Sequence, residues 1–211
     1  MVNTFLVSPG DAVLIDFYLV PLVCEAAPLI GCGCRTKPVL QVLEANPVIE
    51  HAWLNKAGTI IAIQWHKAIP EDEKLRVFSG VIDDGNAVSA VRAGEHEALF
   101  AELCGSVPWY NAGTIDALSR SEADIIGLRM GSRIKSTVDL GQAQTTALQC
   151  TIACAVYEIL IDPRAALHEW RQPALNSAVV SAASSYLNVG EVEALIHALR
   201  VADYRPLPGE A

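Results

Sequence analysis

The strongest constraint on the fold is the order in which β-type and helical patterns alternate before residue 92. Runs rich in branched and aromatic residues predict strands, and apolar residues at helical spacing predict helices. The order is strand, helix, strand, strand, helix, strand. This is the order of the ferredoxin-like βαββαβ sandwich, a four-stranded antiparallel sheet covered on one face by two helices. The predicted strands span residues 12–20, 49–54, 59–65 and 87–91, and the predicted helices span 37–47 and 70–84.

Local signals predict where these elements begin and end. Pro38 suits the first turn of the first helix, and the Asn46-Pro47 pair indicates its end. The sequence "NKAG" at 55–58 predicts a tight turn between the two central strands. Pro70 and the three acids that follow it favour the start of the second helix, where the helix dipole attracts negative charge.

Helical patterns replace the β-type residues from about residue 92 onward. We therefore predict an α+β protein with a ferredoxin-like domain at 1–92 and an all-helical domain at 93–211. Ser119 and Glu122 have the spacing of a capping box, which predicts a helix that begins at Ser119. The stretch 141–160 predicts a long buried helix, and the aromatic-led stretch 109–116 is interpreted as a linker.

Composition and charge narrow the classes of partner. The formal net charge is −9 and no run of Lys or Arg occurs, so we expect no binding to nucleic acid. The apolar N-terminal stretch lacks a basic region and is interrupted by Pro9, Asp11 and Asp16, which argues against a signal peptide or a membrane span. The expected location is the cytoplasm. The small-residue run at 176–187 predicts a protein partner or a homo-oligomer that forms through the helical half.

The candidate chemistry lies in the Gly-rich loop "CEAAPLIGCGC", where Cys32 and Cys34 directly precede a helix and Cys24 lies a few residues earlier. Backbone N–H groups at a helix N-terminus favour a thiolate over a thiol, so we expect a lowered pKa in this loop. Thiolates select soft ions. The predicted ligands are Cys32, Cys34 and Cys24, and the predicted ion is Cu(I), Hg(II) or Zn(II).

The segment "GCGCRTKPVLQVLEANPVIEHAWLNKAGTIIAI" followed by "PEDEKLRVFSGVIDDGNAVSAV" resembles the heavy-metal-associated domain of copper and mercury chaperones. The resemblance covers roughly residues 12–91. It places Cys32 on the first metal cysteine of that family, Arg35 on the second, and Asn55 near the asparagine that ends a strand. It implies a ferredoxin-like fold and metal binding at the loop, although the loop reads Cys-Gly-Cys where the family has Cys-x-x-Cys.

A second candidate pair is Cys150 and Cys154 in "CTIAC". Residues four apart lie on one face of a helix, so the two thiols could together bind Cu(I) or, with further ligands, zinc. Their neighbours are apolar, which favours the alternative that both thiols pack in a core.

Three functions remain open from the sequence. The first is binding, sensing or carriage of a soft metal ion by the 24–34 loop. The second is a structural or interaction subunit of a larger complex, in which the cysteines are incidental. The third is a thiol redox enzyme, in which closely spaced thiols cycle between dithiol and disulfide. Neither a G-x-S-x-G nor a phosphate-loop motif is present, so the sequence favours a protein that is not an enzyme.

Overall fold

The computed structural model describes residues 14–82, 88–202, 204–208 and 210. The described chain divides into two compact units. The first contains the chain up to Val23, Leu29–Gly31 and Arg35–Ile115, and the second contains Cys24–Pro28, Cys32–Cys34 and the chain from Asp116 onward. The chain thus changes unit at Ile115–Asp116, whereas the sequence placed a domain boundary near residue 92. All three cysteines of the Gly-rich loop belong to the second unit.

The first unit is built on a five-stranded antiparallel sheet with the strand order β4-β1-β3-β2-β5. The sheet and the accompanying helices confirm the predicted α+β class. Its strands are β1 (Ile15–Leu19), β2 (Ile49–Asn55), β3 (Ile60–Trp65), β4 (Ser89–Ala90) and β5 (Trp109–Tyr110). The helices before residue 116 are α1 (Gly33–Glu44), α2 (Glu71–Lys74) and α3 (His96–Leu103), with 3-10 turns at Leu75–Phe78 and Ala93–Glu95.

The β2–β3 hairpin forms where the sequence predicts it because its turn is specified locally. Gly58 has a φ of +76°, a conformation that glycine adopts without steric cost. The Asn55 side chain accepts hydrogen bonds from the backbone N–H groups of Thr59 and Ile60, at 2.9 and 3.1 Å. These hydrogen bonds give both backbone N–H groups a partner, stabilise the turn and set the register of the two central strands.

Strand β5 corrects the interpretation of 109–116 as a linker. Trp109 and Tyr110 pair with Asn55 and Leu54 at the edge of the sheet. The Trp109 side chain is buried in the core cluster of the first unit, where it contacts Phe17 in an edge-to-face arrangement. The stretch after residue 92 is therefore not wholly helical, because an aromatic pair gains more from burial against the sheet than from exposure.

Several predicted boundaries are wrong. Helix α1 begins at Gly33, so Pro38 lies inside the helix and not in its first turn. The second predicted helix has one α-turn, α2, followed by the 3-10 turn Leu75–Phe78, and its last two residues, 83 and 84, lie outside the described residues. Strand β4 has two residues, and Ala87 likewise lies outside the described residues, as do residues 12 and 13 of the first predicted strand.

The second unit is helical. Its helices are α4 (Asp116–Lys135), α5 (Gln142–Leu160), α6 (His168–Ala183) and α7 (Val189–Ala202), with a 3-10 turn at Pro163–Ala166. Helices α4 and α5 approach closely at Gly127, where an added Cβ would lie 2.7 Å from the carbonyl oxygen of Gln149. Within the residues that the structure describes, no helix combines the length and apolar composition needed to cross a membrane.

Candidate metal-binding site

The three cysteines of the Gly-rich loop come together in the second unit. Their side chains are almost completely buried, with exposed fractions of 2% for Cys24, 4% for Cys32 and 5% for Cys34. An isolated antiparallel bridge joins Val23 to Gly31, the residues that directly precede Cys24 and Cys32. The chain therefore returns beside itself, which brings two cysteines eight residues apart in sequence into the same cluster.

Gly33 explains why the loop reads Cys-Gly-Cys. A Cβ atom at this position would lie 2.2 Å from the Ser119 hydroxyl oxygen and 2.9 Å from the Ser119 backbone nitrogen. Only glycine lets helix α4 approach the loop this closely, since a methyl group needs the space that Ser119 occupies. The close approach brings Glu122, which lies one turn after Ser119, to the cysteines.

Glu122 is the acidic member of the cluster. Its side chain is 3% exposed, and its Oε1 atom accepts a hydrogen bond from the Cys24 thiol at 3.1 Å. Ligand atoms of Cys24, Cys32 and Glu122 all lie within 4.8 Å of one another. The other carboxylate oxygen, Oε2, is buried and has no hydrogen-bond partner among the described residues.

The sequence assigned Glu122 a different role, and that assignment is wrong. Helix α4 begins at Asp116, so Ser119 and Glu122 lie inside the helix and form no capping box. Both side chains are buried, and the Ser119 hydroxyl, like Glu122 Oε2, has no hydrogen-bond partner in the described chain. Two buried polar atoms left unsatisfied on one helix face are costly unless a ligand or a water molecule contacts them.

Cys34 lies next to Cys32. Its sulfur atom lies 3.4 Å from that of Cys32, a hydrogen-bond distance and far longer than the roughly 2.05 Å of a disulfide. Arg171 of helix α6 donates hydrogen bonds to the Cys34 sulfur at 3.4 Å and to the Ala165 carbonyl oxygen at 2.7 Å. Arg171 therefore places a positive charge beside the thiols. No local pattern in the sequence predicts a role for Arg171 at this site.

Burial raises the pKa of Glu122 to about 8. The neighbouring Cys32 also raises it, while the Cys24 thiol, the Arg171 guanidinium and the Gly33 backbone N–H oppose the shift. A carboxyl group in this position holds its proton near neutral pH, because the desolvated carboxylate is costly.

The pKa values of Cys24 and Cys34 are raised as well. For both thiols the main cause is the hydrogen bond with Cys32, followed by burial, and Arg171 partly counteracts the shift of Cys34. The expectation that the pKa is lowered in this loop is wrong for Cys34, since the hydrogen bond with Cys32 and burial both raise the pKa of its thiol. The cluster therefore stores protons that a bound cation would displace.

The remaining cysteines lie apart from this cluster. Cys104, Cys150 and Cys154 are exposed, and none of the six cysteines forms a disulfide in the described structure. The interpretation of Cys150 and Cys154 as core residues is wrong, because both lie on the solvent face of helix α5. Among the described residues, no second group of three His, Cys, Asp or Glu ligand atoms comes this close together.

Comparison of the chain with protein-family models, with curated proteins and with solved structures finds no match. The resemblance to the heavy-metal-associated domain stays a prediction. The function of this chain must therefore be argued from the cluster of Cys24, Cys32, Cys34 and Glu122 itself.

Proposed function

We propose that the chain binds one soft metal ion, Zn(II), Hg(II) or Cu(I), through the sulfur atoms of Cys24, Cys32 and Cys34, with the Glu122 carboxylate as an oxygen ligand. The observation that carries the proposal is that buried ligand atoms of Cys24, Cys32 and Glu122 lie within 4.8 Å of one another, while the Cys34 sulfur atom lies 3.4 Å from that of Cys32. Buried polar atoms are normally satisfied by protein or water, and the unpartnered Glu122 oxygen supports a ligand in their midst.

The spacing of the donor atoms suits a small coordination sphere. Tetrahedral zinc with sulfur ligands at about 2.3 Å separates neighbouring ligand atoms by about 3.8 Å. The Cys24–Glu122 and Cys32–Cys34 distances of 3.1 and 3.4 Å are shorter than this, and the 4.8 Å limit on the distances among Cys24, Cys32 and Glu122 is about 1 Å longer. Small side-chain rotations would complete the site. Cu(I) and Hg(II) would use the sulfur atoms alone, because thiolate is their preferred ligand.

Charge balance supports a divalent ion. Three thiolates carry three negative charges, and the Arg171 guanidinium next to Cys34 offsets one of them. A divalent cation offsets the other two, so the net charge left at the site is the single negative charge of the ligating Glu122 carboxylate. A buried site whose charges are mostly compensated avoids much of the desolvation cost of isolated charges.

Metal titration of the reduced, metal-free protein tests the proposal. We expect one equivalent of Zn(II), Hg(II) or Cu(I) to bind in competition with a chromophoric chelator. Cys32→Ser should weaken binding by a factor of about 100 or more, because it removes a direct ligand and not an outer-shell partner. The matched control is Cys154→Ser, the same substitution at an exposed cysteine, which should change neither stoichiometry nor affinity. Unchanged binding by the Cys32→Ser, Cys34→Ser double variant would refute the site.

The 3.4 Å separation of the Cys32 and Cys34 sulfur atoms also favours a second candidate, thiol–disulfide exchange. Oxidised glutathione would take the two electrons and two protons of the thiols, leaving one protein disulfide and two molecules of reduced glutathione. The Cys-Gly-Cys ring is strained, so this disulfide would be easily reduced. The discriminating measurement is whether mild oxidant consumes two buried thiols in protein that binds no metal.

We infer a ferredoxin-like arrangement for the first unit. The order β1, α1, β2, β3, α2, β4 along the chain and the order β4-β1-β3-β2 within the sheet support this inference, with β5 as an added edge strand. A backbone tracing by experiment in which α1 and α2 cover opposite faces of the sheet would contradict it.

The cellular setting follows from the same chemistry. We infer a cytoplasmic location, because thiols that bind metal or exchange disulfides need a reducing compartment to stay reduced.

We also propose a protein partner or a second copy of the chain at the helical half. Exposed apolar side chains such as Leu128 and Leu167 support it, and sedimentation analysis would test it. If such contacts exist while no metal binds, the alternative of an interaction subunit gains support.

A further inference from the structure

The loop that carries Cys24 is held by residues near the C-terminus, which we call the strap and define as the described residues 204–208 and 210. Cys24–Pro28 contains no helix or strand, and the Val23–Gly31 bridge holds its N-terminal side. The Arg205 guanidinium pairs with the carboxylate of Glu25, the residue next to Cys24. The loop and the strap therefore meet directly beside the site.

Arg129 of helix α4 links the Cys24 loop to the strap. Its side chain is 5% exposed, and its Nη1 atom donates hydrogen bonds to the carbonyl oxygen of Ala26 and, at 2.9 Å, to that of Tyr204. A single guanidinium group thus bonds the loop two residues after Cys24 and the first described residue of the strap. Hydrogen bonds from a buried charged donor are among the stronger ones in proteins.

The strap is anchored again one helical turn further along α4. Arg133 binds the Glu210 carboxylate with two parallel hydrogen bonds of 3.0 and 2.6 Å, and it donates a third, of 2.7 Å, to the Arg205 carbonyl oxygen. The hydrogen bonds from Arg133 are the main reason that the pKa of Glu210 is lowered to about 2, so this carboxylate is charged at neutral pH. The Tyr204 hydroxyl donates to Asn176 Oδ1 at 2.9 Å.

We infer that Arg129 is a positioning residue for Cys24, and that the strap sets how fast a bound metal ion leaves the site. The inference rests on the proposed function. Cys32 and Cys34 are fixed at the start of helix α1, whereas Cys24 lies in a loop that is held by the Val23–Gly31 bridge on one side and by Arg129 and the strap on the other. Loss of those anchors lets Cys24 swing away first, and a metal ion with one sulfur fewer dissociates faster.

The test uses the full chain with two sets of substitutions. The double variant Glu210→Gln, Arg205→Gln weakens the strap at partly exposed positions, so the fold should be retained. Arg129→Lys replaces the planar guanidinium group that joins loop and strap with the compact ammonium group of a shorter side chain. Asp162→Asn is the matched control, because Asp162 also pairs tightly with an arginine and has a pKa lowered to about 2, but contacts neither loop nor strap.

Two quantities are measured: the alkylation rate of each cysteine in metal-free protein, resolved by peptide mass spectrometry, and the rate of Zn(II) release to a chelator. Losing one or two charged hydrogen bonds should speed Cys24 alkylation and Zn(II) release about 10-fold, and should leave Cys32 and Cys34 alkylation within about twofold of wild type. A merely structural role would accelerate all three thiols together.

Suppose that wild type binds zinc and that the strap variants have the same rates of Zn(II) release and Cys24 alkylation as wild type. That result would overturn this inference and leave the proposed function intact. Equal acceleration of Cys24, Cys32 and Cys34, or an Asp162→Asn variant that behaves like the strap variants, would also overturn it. Failure of wild type to bind any of Zn(II), Hg(II) or Cu(I) would overturn the proposed function and this inference with it.

Discussion

Two pairs of cysteines in the second unit have similar spacing in sequence and opposite surroundings in space. Cys32 and Cys34 are buried, with sulfur atoms 3.4 Å apart and with Glu122 and Arg171 beside them. Cys150 and Cys154 lie one turn apart on helix α5 and face solvent. Spacing in sequence alone therefore does not make a thiol site. The carboxylate, the guanidinium and the burial all come from residues distant in sequence.

The largest expected effect is a difference in thiol reactivity. Under native, metal-free conditions Cys104, Cys150 and Cys154 should react rapidly with a thiol reagent, since all three are exposed. Cys24, Cys32 and Cys34 should react more slowly by a factor of about 1,000 or more, because the reagent reaches them only after local opening. Residue-resolved alkylation measures both groups. Similar rates for all six cysteines would remove the basis of the comparison.

The pH dependence of stability should reveal Glu122. The folded-state pKa of about 8 lies above the ordinary value of 4.5, so folding favours the protonated form. Its stabilising contribution is complete below pH 4.5 and is lost as the pH rises through about 8. We expect the free energy of unfolding of the metal-free protein to fall by on the order of 3 kcal/mol across this range.

Glu122→Gln supplies the check, since glutamine does not titrate and should flatten the pH dependence between 4.5 and 8. Glu210→Gln is the control, because the pKa of Glu210 is shifted in the opposite direction from that of Glu122. The pKa of Glu210 is lowered to about 2 by Arg133, so its contribution is present above pH 4.5 and is lost only as the pH falls towards 2. Denaturant unfolding at a series of pH values measures both. An unchanged slope in Glu122→Gln would show that Glu122 does not hold a proton in the fold.

A structural feature could be predicted from the sequence when residues close together in the chain determine it. The β2–β3 hairpin is set by four consecutive residues around Gly58, so its signal is local. The proximity of Cys24, Cys32 and Cys34 was predicted because one short loop carries all three. Glu122 and Arg171 join them through the packing of α4 and α6, which no local pattern describes.

One signal for Glu122 was present but was interpreted differently. Ser119 and Glu122, three residues apart, resemble a capping box, yet α4 starts earlier, at Asp116. With that start, Ser119, Glu122, Arg129 and Arg133 form a polar row on one face of a helix whose neighbouring residues are buried and apolar. A polar row within an apolar face indicates a functional or ion-paired surface. The position of the helix start was therefore the missing information.

A smaller effect is expected at Gly33. Its missing side chain is what lets α4 approach the cysteine loop, and an alanine methyl would lie 2.2 Å from the Ser119 hydroxyl oxygen. Gly33→Ala should lower the free energy of unfolding by about 2 kcal/mol, the usual cost of overpacking, and should weaken metal binding because Glu122 moves with α4. Denaturant unfolding and metal titration measure the two effects.

Gly190→Ala is the matched glycine control. An added Cβ there comes no closer than 3.6 Å to Asn188 Oδ1, an ordinary contact, and the residue lies in helix α7. Alanine in a helix is slightly favourable relative to glycine, so stability should stay the same or rise by less than about 1 kcal/mol. Equal destabilisation by both substitutions would mean that the Gly33–Ser119 contact has no special part in the site.

The smallest expected effect concerns the exposed pair itself. Cys150→Ser and Cys154→Ser together should change the free energy of unfolding by less than about 0.5 kcal/mol, as surface substitutions usually do. They should also leave the metal stoichiometry unchanged, because no carboxylate or imidazole ligand atom completes a group of three around either sulfur in the described chain. Metal titration of this double variant beside wild type is the measurement. Loss of a bound equivalent would mean that two thiols one helical turn apart suffice to hold a soft ion at a solvent-exposed surface, and burial beside Glu122 and Arg171 would then no longer distinguish the two pairs.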